Sequence, residues 1–474
     1  MKRSAQTNGC ATATVKPPPL PVLYSAVPDM IEQRDSRILL VWGDVPYWQV
    51  VDAEMFEFLD ILIKGSTLRH AARKLAYARG HTICSTIERI KKKMTPLVEA
   101  GVIYGRYARK AKPASQNALE NITVNITRRC NLNCRFCYNR GFHVPAGELP
   151  VAKITRFLNQ AIPVMSENRK LTILGGEPTL RGFESIAIGK WAVENGFETT
   201  ISTNGLLVDT DFASAAAKCG IKIQVSIDGP TAFEHEMLRG RGSFEKAKKA
   251  VALLVKSGVK VVTNMVVHED TQWRLEDFFK FSKKLGVSGV RFVPLRRIGG
   301  GSSLRPPDRL KLLRSVRTFF LLNPRYRTIA NEDWFSTLAS TCKLNRKKTY
   351  CGAGTNTLLV DADGSVYPCT GQTLPEFKLG SVDVPFRKIW VDSLLLSGLR
   401  KRFNVDNINK KCSECLVRYW CSAGCRGEAY SRTGSCFEPS PACEETRKVI
   451  TEMFWVLSET SKFTWEKPSP CSGK

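Results

Sequence analysis

The apolar and polar positions alternate differently along the chain. "RILLVW" (37–42) and "YWQVVD" (47–52) are short β-branched and aromatic runs, which predict two strands. "AEMFEFLDILIKG" and "STLRHAARKLAYARG" place apolar residues at helical spacing, and each run stops at glycine. "TICSTIERIKKKMTPLVEAGVIYGRY" predicts a third helix, a glycine stop and a strand. Together they predict a winged helix-turn-helix-like domain over residues 31–112, ahead of the linker "ARKAKPASQNA". Residues 1–30 are rich in Pro, Thr and Ala and are expected to be disordered.

From residue 118 to 296 the pattern becomes regular. "NITVNIT", "LTILGGEP", "TTISTNG", "IKIQVSIDG", "KVVTNMVV" and "GVRFVPL" predict six strands, separated by amphipathic helical stretches such as "FEKAKKAVALLVKSG". Six β–α units in series predict an α/β fold with a parallel sheet, curled into a partial (β/α)6 TIM-like barrel. The reactive end is then expected at the strand C-termini. Residues 297–341 form a bridge with a flexible, turn-rich stretch, "IGGGSSLRPP", and an apolar helix near 308–322. Residues 342–448 are cysteine-rich, with a hairpin at "DADGSVYPC". Residues 449–474 are a tail that includes most of an amphipathic helix, "EETRKVITEMFWVLSET".

Composition sharpens this picture in two ways. The chain has 474 residues, 43% of them hydrophobic, enough for several cores. No apolar run approaches the length of a membrane span, and no secretory signal core is present, so a cytoplasmic location without a membrane partner is expected. Sixteen cysteines in a reducing compartment point to metal ligands or catalytic thiols rather than disulfides. Eleven have functional-looking spacing, while Cys10, Cys84, Cys219, Cys436 and Cys471 look isolated. The net charge of +27 fits an acidic partner or an ordinary solvated basic surface.

The densest motif is "TRRCNLNCRFCYNR", with Cys130, Cys134 and Cys137 spaced C-x3-C-x2-C directly after the first barrel strand. Three thiolates can hold three irons of a [4Fe–4S] cube and leave the fourth open. Structural zinc would need a fourth ligand, for which His143 is the nearby candidate. The later strands end in "GGEP" (175–178), "STNG" (202–205) and "SIDG" (226–229). In this order and spacing the motifs resemble the radical SAM superfamily.

By that resemblance the open iron is chelated by S-adenosylmethionine (SAM). Gly175, Gly176, Glu177 and Pro178 belong to the motif that meets its amino group. Ser202, Asn204, Ser226 and Asp228 belong to the later strand-end motifs of the SAM site. Arg239 is a carboxylate partner, and Asn264 faces the nucleoside. The implied reaction begins when the reduced cluster passes an electron to SAM, giving methionine and a 5′-deoxyadenosyl radical that takes hydrogen from an unactivated C–H. It needs an electron donor such as flavodoxin or ferredoxin. No side-chain acid or base is identified.

A second array follows. Cys351, Gly364 and Cys369, then Cys412, Cys415, Cys421, Cys425 and Cys443, resemble the SPASM extension of radical SAM enzymes, which binds two further [4Fe–4S] clusters. The resemblance implies three clusters in all. It assigns Cys351, Cys369 and Cys425 to the first auxiliary cluster, with Cys342 as its candidate fourth ligand, and Cys412, Cys415, Cys421 and Cys443 to the second. Zinc remains an alternative for the C-x2-C-x5-C-x3-C segment. Auxiliary clusters suit reactions that leave a surplus electron, hence net oxidation.

The N-terminal domain resembles the peptide-recognition element of peptide-maturation systems, related to a small peptide chaperone of quinone cofactor biosynthesis. Such domains bind a leader peptide as an added strand. The expected function is therefore maturation of a ribosomally made precursor peptide by oxidative cross-linking, through a thioether or else a C–C or C–O bond. One alternative resembles anaerobic sulfatase maturases, although Thr370 stands where those enzymes tend to carry an acid. Another is an iron–sulfur DNA-binding regulator using the basic run Arg89, Lys91, Lys92 and Lys93. The intact SAM motifs favour an enzyme without a nucleic-acid partner.

Overall fold

A computed structural model describes residues 21–105, 118–139, 147–330 and 349–459. The chain divides into two compact units, residues 1–112 and 113–474.

The first unit contains β1 (Val22–Ser25), β2 (Met30–Arg34), β3 (Arg37–Trp42), β4 (Tyr47–Asp52), α1 (Ala53–Ile63), β5 (Ser66–Thr67), α2 (Leu68–Arg79), α3 (Ile83–Glu99) and β6 (Ile103–Tyr104). Strands β2, β3 and β4 form an antiparallel meander, while β1 lies between β5 and β6. Asp52, Thr67 and Thr82 cap the three helices by accepting from backbone N–H groups. Leu40, Trp42, Phe58, Leu62, Ile90 and Leu97 form the core. The ordered segment Val22–Ser25 corrects the expectation of disorder through residue 30. Its partners are two-residue strands distant in sequence, so no local pattern announces it.

The second unit is built on the six expected parallel strands: β7 (Leu119–Asn125), β8 (Met165–Leu174), β9 (Glu198–Thr203), β10 (Lys222–Ser226), β11 (Val261–Val267) and β12 (Gly289–Pro294). Between them run α4 (Val151–Ala161), α5 (Gly182–Glu194), α6 (Thr210–Lys218), α7 (Ala232–Arg239), α8 (Ser243–Lys256) and α9 (Leu275–Lys284). The strands are neighbours in chain order, as successive β–α units require. Ile122, Val124, Leu171, Ile173, Ile201, Ile223 and Val225 are fully buried. This is the α/β partial barrel that the periodicity predicts.

After α10 (Arg309–Leu322) the sheet continues. β13 (Thr357–Val360) runs parallel beside β7, with Leu359 opposite Thr123. β14 (Ser365–Tyr367) and β15 (Gly380–Ser381) add antiparallel strands, giving nine in one sheet. The expected hairpin is thus present, but as an extension of the barrel. The remaining helices are α11 (Phe386–Trp390), α12 (Leu394–Arg402), α13 (Lys410–Ser413), α14 (Arg418–Cys421), α15 (Arg426–Thr433) and α16 (Cys443–Ser458). Helix α16 is more than a tail. Val449, Ile450, Met453 and Phe454 are buried, and Glu445 and Glu452 pair with Arg309 and Arg314 of α10 at 2.8 and 3.1 Å. Among the described residues no helix is long and apolar enough to cross a membrane.

Candidate active site and its three cysteine sets

The first cysteine loop leaves β7 and rests on the end of β8. Gly176 N–H donates to Thr127 O at 2.7 Å, and Glu177 N–H donates to Arg129 O at 2.8 Å. A Cβ on Gly175 or Gly176 would fall 2.3 Å from Thr127 O or 2.0 Å from Arg129 O. These glycines are therefore required by the approach of two backbones. Cys130 is exposed, Cys137 half-buried and Cys134 buried. Burial pushes the Cys134 thiol up to about 11, with Arg239 opposing the shift. Cys130 is also raised, again chiefly by burial, despite the open face of its side chain. A metal centre reverses that balance, because a ligating thiol is deprotonated.

The motif residues divide into braces and residues that face the mouth. Glu177 is buried, and its two oxygens accept from Thr179 N, Thr179 Oγ1, Thr203 Oγ1 and Asn204 N, at 2.6 to 3.0 Å. It ties the second strand end to the third, where the sequence suggested a SAM contact. Asn204 likewise donates to Asn131 Oδ1 at 2.7 Å and accepts from Leu206 N, bracing the cysteine loop. Asp228 is fully buried, accepting from Val266 N at 2.8 Å and from Arg239 Nε at 2.5 Å. Arg239 in turn reaches Cys134 Sγ at 3.9 Å and lies over the Phe136 ring. Asp228 thus orients Arg239, which supplies positive charge beside the thiols. Pro178 is buried and opens a short 3-10 turn.

Ser226 and Asn264 lie opposite each other on β10 and β11. Asn264 is 7% exposed, and its Oδ1 has no hydrogen-bond partner. A buried acceptor left open midway along β11, opposite the end of β10, is what a polar nucleoside donor would satisfy. Ser202 Oγ accepts from Gln224 Nε2 at 3.0 Å, and Gln224 Oε1 accepts from Arg291 at 3.2 Å.

Sequence reading missed several supporting residues. Arg181, just after "GGEP", donates to Ile126 O and Leu149 O at 2.9 and 3.1 Å and fixes the exit of β7. His235 is buried, and its Nδ1 accepts from Asp228 N at 3.1 Å. Burial drives its pKa down to about 4, so it is neutral at ordinary pH. Arg128 pairs with Asp361, which is 1% exposed and also accepts from Asn125 at 3.1 Å. That pair joins the cysteine loop to the end of β13. None of these residues has a local motif, because each acts across elements.

The C-terminal cysteines fall into two groups. Cys425 lies close enough to help raise the thiols of Cys351 and Cys369, and Cys351 that of Cys369. Burial raises Cys369 strongly and Cys351 less, and Arg296 opposes both shifts. Cys412, Cys415, Cys421 and Cys443 line a single cavity with Lys411, Arg418 and Arg447. Burial pushes Cys421 up to about 12. Four thiols and three cations around one cavity suit an anionic iron–sulfur cluster. No group of three or more Cys, His, Asp or Glu side chains meets at a single-ion site among the described residues. Cys342 and His143 lie outside the described residues. Cys436 is buried in the apolar core with Phe403 and Tyr419.

The sequence profile of the radical SAM superfamily matches residues 124–282, and that of the SPASM iron–sulfur cluster-binding domain matches residues 351–416. An AdoMet-dependent heme synthase of Methanosarcina barkeri is 28% identical over 350 residues, spanning 70% of this chain and 97% of its own. A cysteine-type anaerobic sulfatase-maturating enzyme of Clostridium perfringens is 25% identical over 354 residues, spanning 69% and 93%. The solved structure of SuiB of Streptococcus suis bound to precursor peptide SuiA superposes with a TM-score of 0.57 at 16% identity, covering 89% of this chain and all of that one. Residues 124–282 thus form a radical SAM domain, residues 351–416 lie in a SPASM domain, and the chain is a radical SAM enzyme.

Proposed function

We propose that this enzyme matures a ribosomally made precursor peptide, forming an oxidative cross-link within it, with a thioether as the leading bond type. The observation that carries this reading is the extent of the SuiB likeness. Covering 89% of this chain requires more than residues 113–474 can supply, so the shared fold extends into the N-terminal unit. That unit offers an edge strand, β2, whose residues alternate between half-buried and exposed. A leader peptide adding there would gain main-chain hydrogen bonds. The heme synthase and sulfatase-maturating relatives share the core, which speaks for the reaction class rather than the substrate.

Cys130, Cys134 and Cys137 would hold the SAM-binding [4Fe–4S] cluster, and Asn264 and Ser226 would meet the nucleoside side of SAM. Cys351, Cys369 and Cys425 would hold one auxiliary cluster, with Cys342 as candidate fourth ligand. Cys412, Cys415, Cys421 and Cys443 would hold another. Bound together, SAM and its cluster supply a 5′-deoxyadenosyl radical that abstracts hydrogen. Arg239, fixed by Asp228, keeps positive charge beside Cys134. Asn131 and Asn204 hold the loop in place. A flavodoxin- or ferredoxin-like donor would deliver electrons.

The DNA-binding alternative loses support in the N-terminal unit. Arg89 pairs with Glu54 at 2.5 Å and Lys93 with Asp52 at 2.5 Å, so half of the basic run serves internal contacts. Thr370 offers no base of the kind expected in sulfatase maturation.

Anaerobic co-expression with short peptides encoded beside the gene, followed by mass spectrometry, tests the proposal. A loss of two hydrogens per link is expected, absent with Cys130→Ala and diminished without residues 1–112. SAM cleavage with every peptide unchanged would sink it and point to another substrate.

A further inference from the structure

Cys369 follows β14, and the chain turns back on itself at once. Gln372 N–H donates to Cys369 O at 3.2 Å, closing a tight turn over Cys369–Gln372. The side chain of Gln372 folds over the same cysteine: Cys369 Sγ donates to Gln372 Oε1 at 3.7 Å. Gln372 is 1% exposed. Its Nε2 is buried and has no hydrogen-bond partner among the described residues. Cys369 itself packs against an apolar core that includes Tyr367, Phe377 and Phe403. Idle N–H groups on a buried amide are costly, so a glutamine is an unexpected residue here unless an acceptor joins it.

The turn is pressed onto the segments that carry the other two cysteines of the group. A Cβ on Gly427 would fall 2.3 Å from Gly371 O, and one on Gly371 would lie 3.7 Å from Gly427 Cα and 3.9 Å from Cys369 Sγ. These glycines let the turn lie on the first residues of α15, beside Cys425, which caps that helix. On the other side Gly354 N–H and Thr357 Oγ1 both donate to Pro368 O, at 3.1 and 3.2 Å, and tie the Cys351 loop to the residue before Cys369. Ala353 N–H donates to Cys351 Sγ at 3.4 Å, as Leu132 N–H does to Cys130 Sγ at 3.4 Å in the first cysteine loop. N–H groups aimed at sulfur thus recur in this molecule, and at Cys369 a side-chain amide stands in reach.

We propose that Gln372 is a positioning residue for the first auxiliary site: its amide donates an N–H to the sulfur of Cys369 when that cysteine ligates a cluster, fixing the direction of the sulfur and favouring the more reduced state. The inference rests on the iron–sulfur assignment of Cys351, Cys369 and Cys425. A ligating sulfur carries no proton and can only accept. A half-turn of the amide about its last side-chain bond exchanges Oε1 and Nε2 and leaves the rest of the residue in place. The exchange gives up a weak S–H···O contact and gains a charge-assisted N–H···S bond. An added electron makes the sulfur more negative, so the same N–H holds the reduced state more strongly. No covalent bond forms or breaks at Gln372.

The test uses the full chain, reconstituted anaerobically with iron and sulfide, as wild type, Gln372→Met and Cys369→Ala. Methionine nearly matches glutamine in length and bulk and has no N–H to donate. Iron per chain is measured, with a dithionite titration followed by electron paramagnetic resonance. In Gln372→Met the reduction equilibrium of one signal that does not respond to SAM should shift toward the oxidised state by about three- to tenfold, while the SAM-responsive signal stays in place. Wild type grown with glutamine isotopically labelled at its side-chain nitrogen should show a nitrogen coupling on that same signal in pulsed measurements. An unchanged equilibrium in Gln372→Met at full iron content, or no coupling in the labelled wild type, overturns the proposal. If Gln372→Met loads less iron, the labelled wild type decides alone. Cys369→Ala reports on the ligand assignment separately. Wild-type iron and signals in that variant would remove the assignment; iron loss there beside an unchanged Gln372→Met would remove only the role of Gln372.

Discussion

At the barrel mouth three thiols share one loop, Cys130 is exposed, and backbone hydrogen bonds to β8 hold the loop in place. At the C-terminal end four thiols come from α13, α14, α16 and the turn after α13, and they close around one cavity. On the proposed assignment the same side chain serves opposite purposes. Fewer ligands and an open face leave room for a reacting molecule, whereas a full ligand set among buried side chains suits storage or relay of charge. The supports differ accordingly. The open loop is braced by polar residues with little freedom, such as Glu177 and Asp228, while the closed site is braced by helix packing.

The largest expected effect breaks the comparison at its open side. Cys130→Ala should abolish SAM cleavage and the SAM-responsive paramagnetic signal while leaving the remaining iron bound; retained cleavage would mean the loop is not the SAM site. Cys421→Ala should cost one cluster's worth of iron and lower the thermal midpoint by roughly 5 °C, because site and fold are coupled there. SAM cleavage should persist in that variant with little peptide product. If peptide product were normal, the closed site would have no part in the chemistry.

Asp228→Asn sharpens the role of bracing. It should leave iron content intact and slow SAM cleavage by about 10- to 100-fold, as expected when a residue that orients a ligand's neighbour is weakened. The smallest effect concerns His235, whose folded pKa is about 4 against an ordinary 6.5. The unfolded chain takes up the proton first, so stability held above pH 6.5 is lost as pH falls toward 4. His235→Asn should flatten this dependence, with the difference in thermal midpoint between pH 7 and pH 5 shrinking by roughly 2–4 °C.

Much of the barrel was legible because each strand is local: "KVVTNMVV" and "GVRFVPL" predict β11 and β12 nearly to the residue. The cysteine runs were visible in spacing, but the assignment of Cys425 apart from its neighbours Cys421 and Cys415 came from the resemblance to SPASM domains. What escaped depends on distant partners. β1 exists because it lies between two-residue strands from far along the chain. β13 resembles any short hairpin strand until it is seen beside β7. Glu177 sits in a ligand motif, yet two of its four donors, on Thr203 and Asn204, come from the end of another strand that only the folded sheet brings alongside.

The continuous nine-stranded sheet has a mechanical consequence. With β13 in register beside β7, the barrel and its cysteine-rich extension cannot swing apart like hinged bodies without breaking a backbone ladder. The sheet acts as a ruler, setting the gap between the cysteine loop after β7 and the cysteines on either side of the β13–β14 hairpin. Evolution is then free to exchange whatever delivers the substrate, or to reshape the outer helices, without resetting the distance between these cysteine groups.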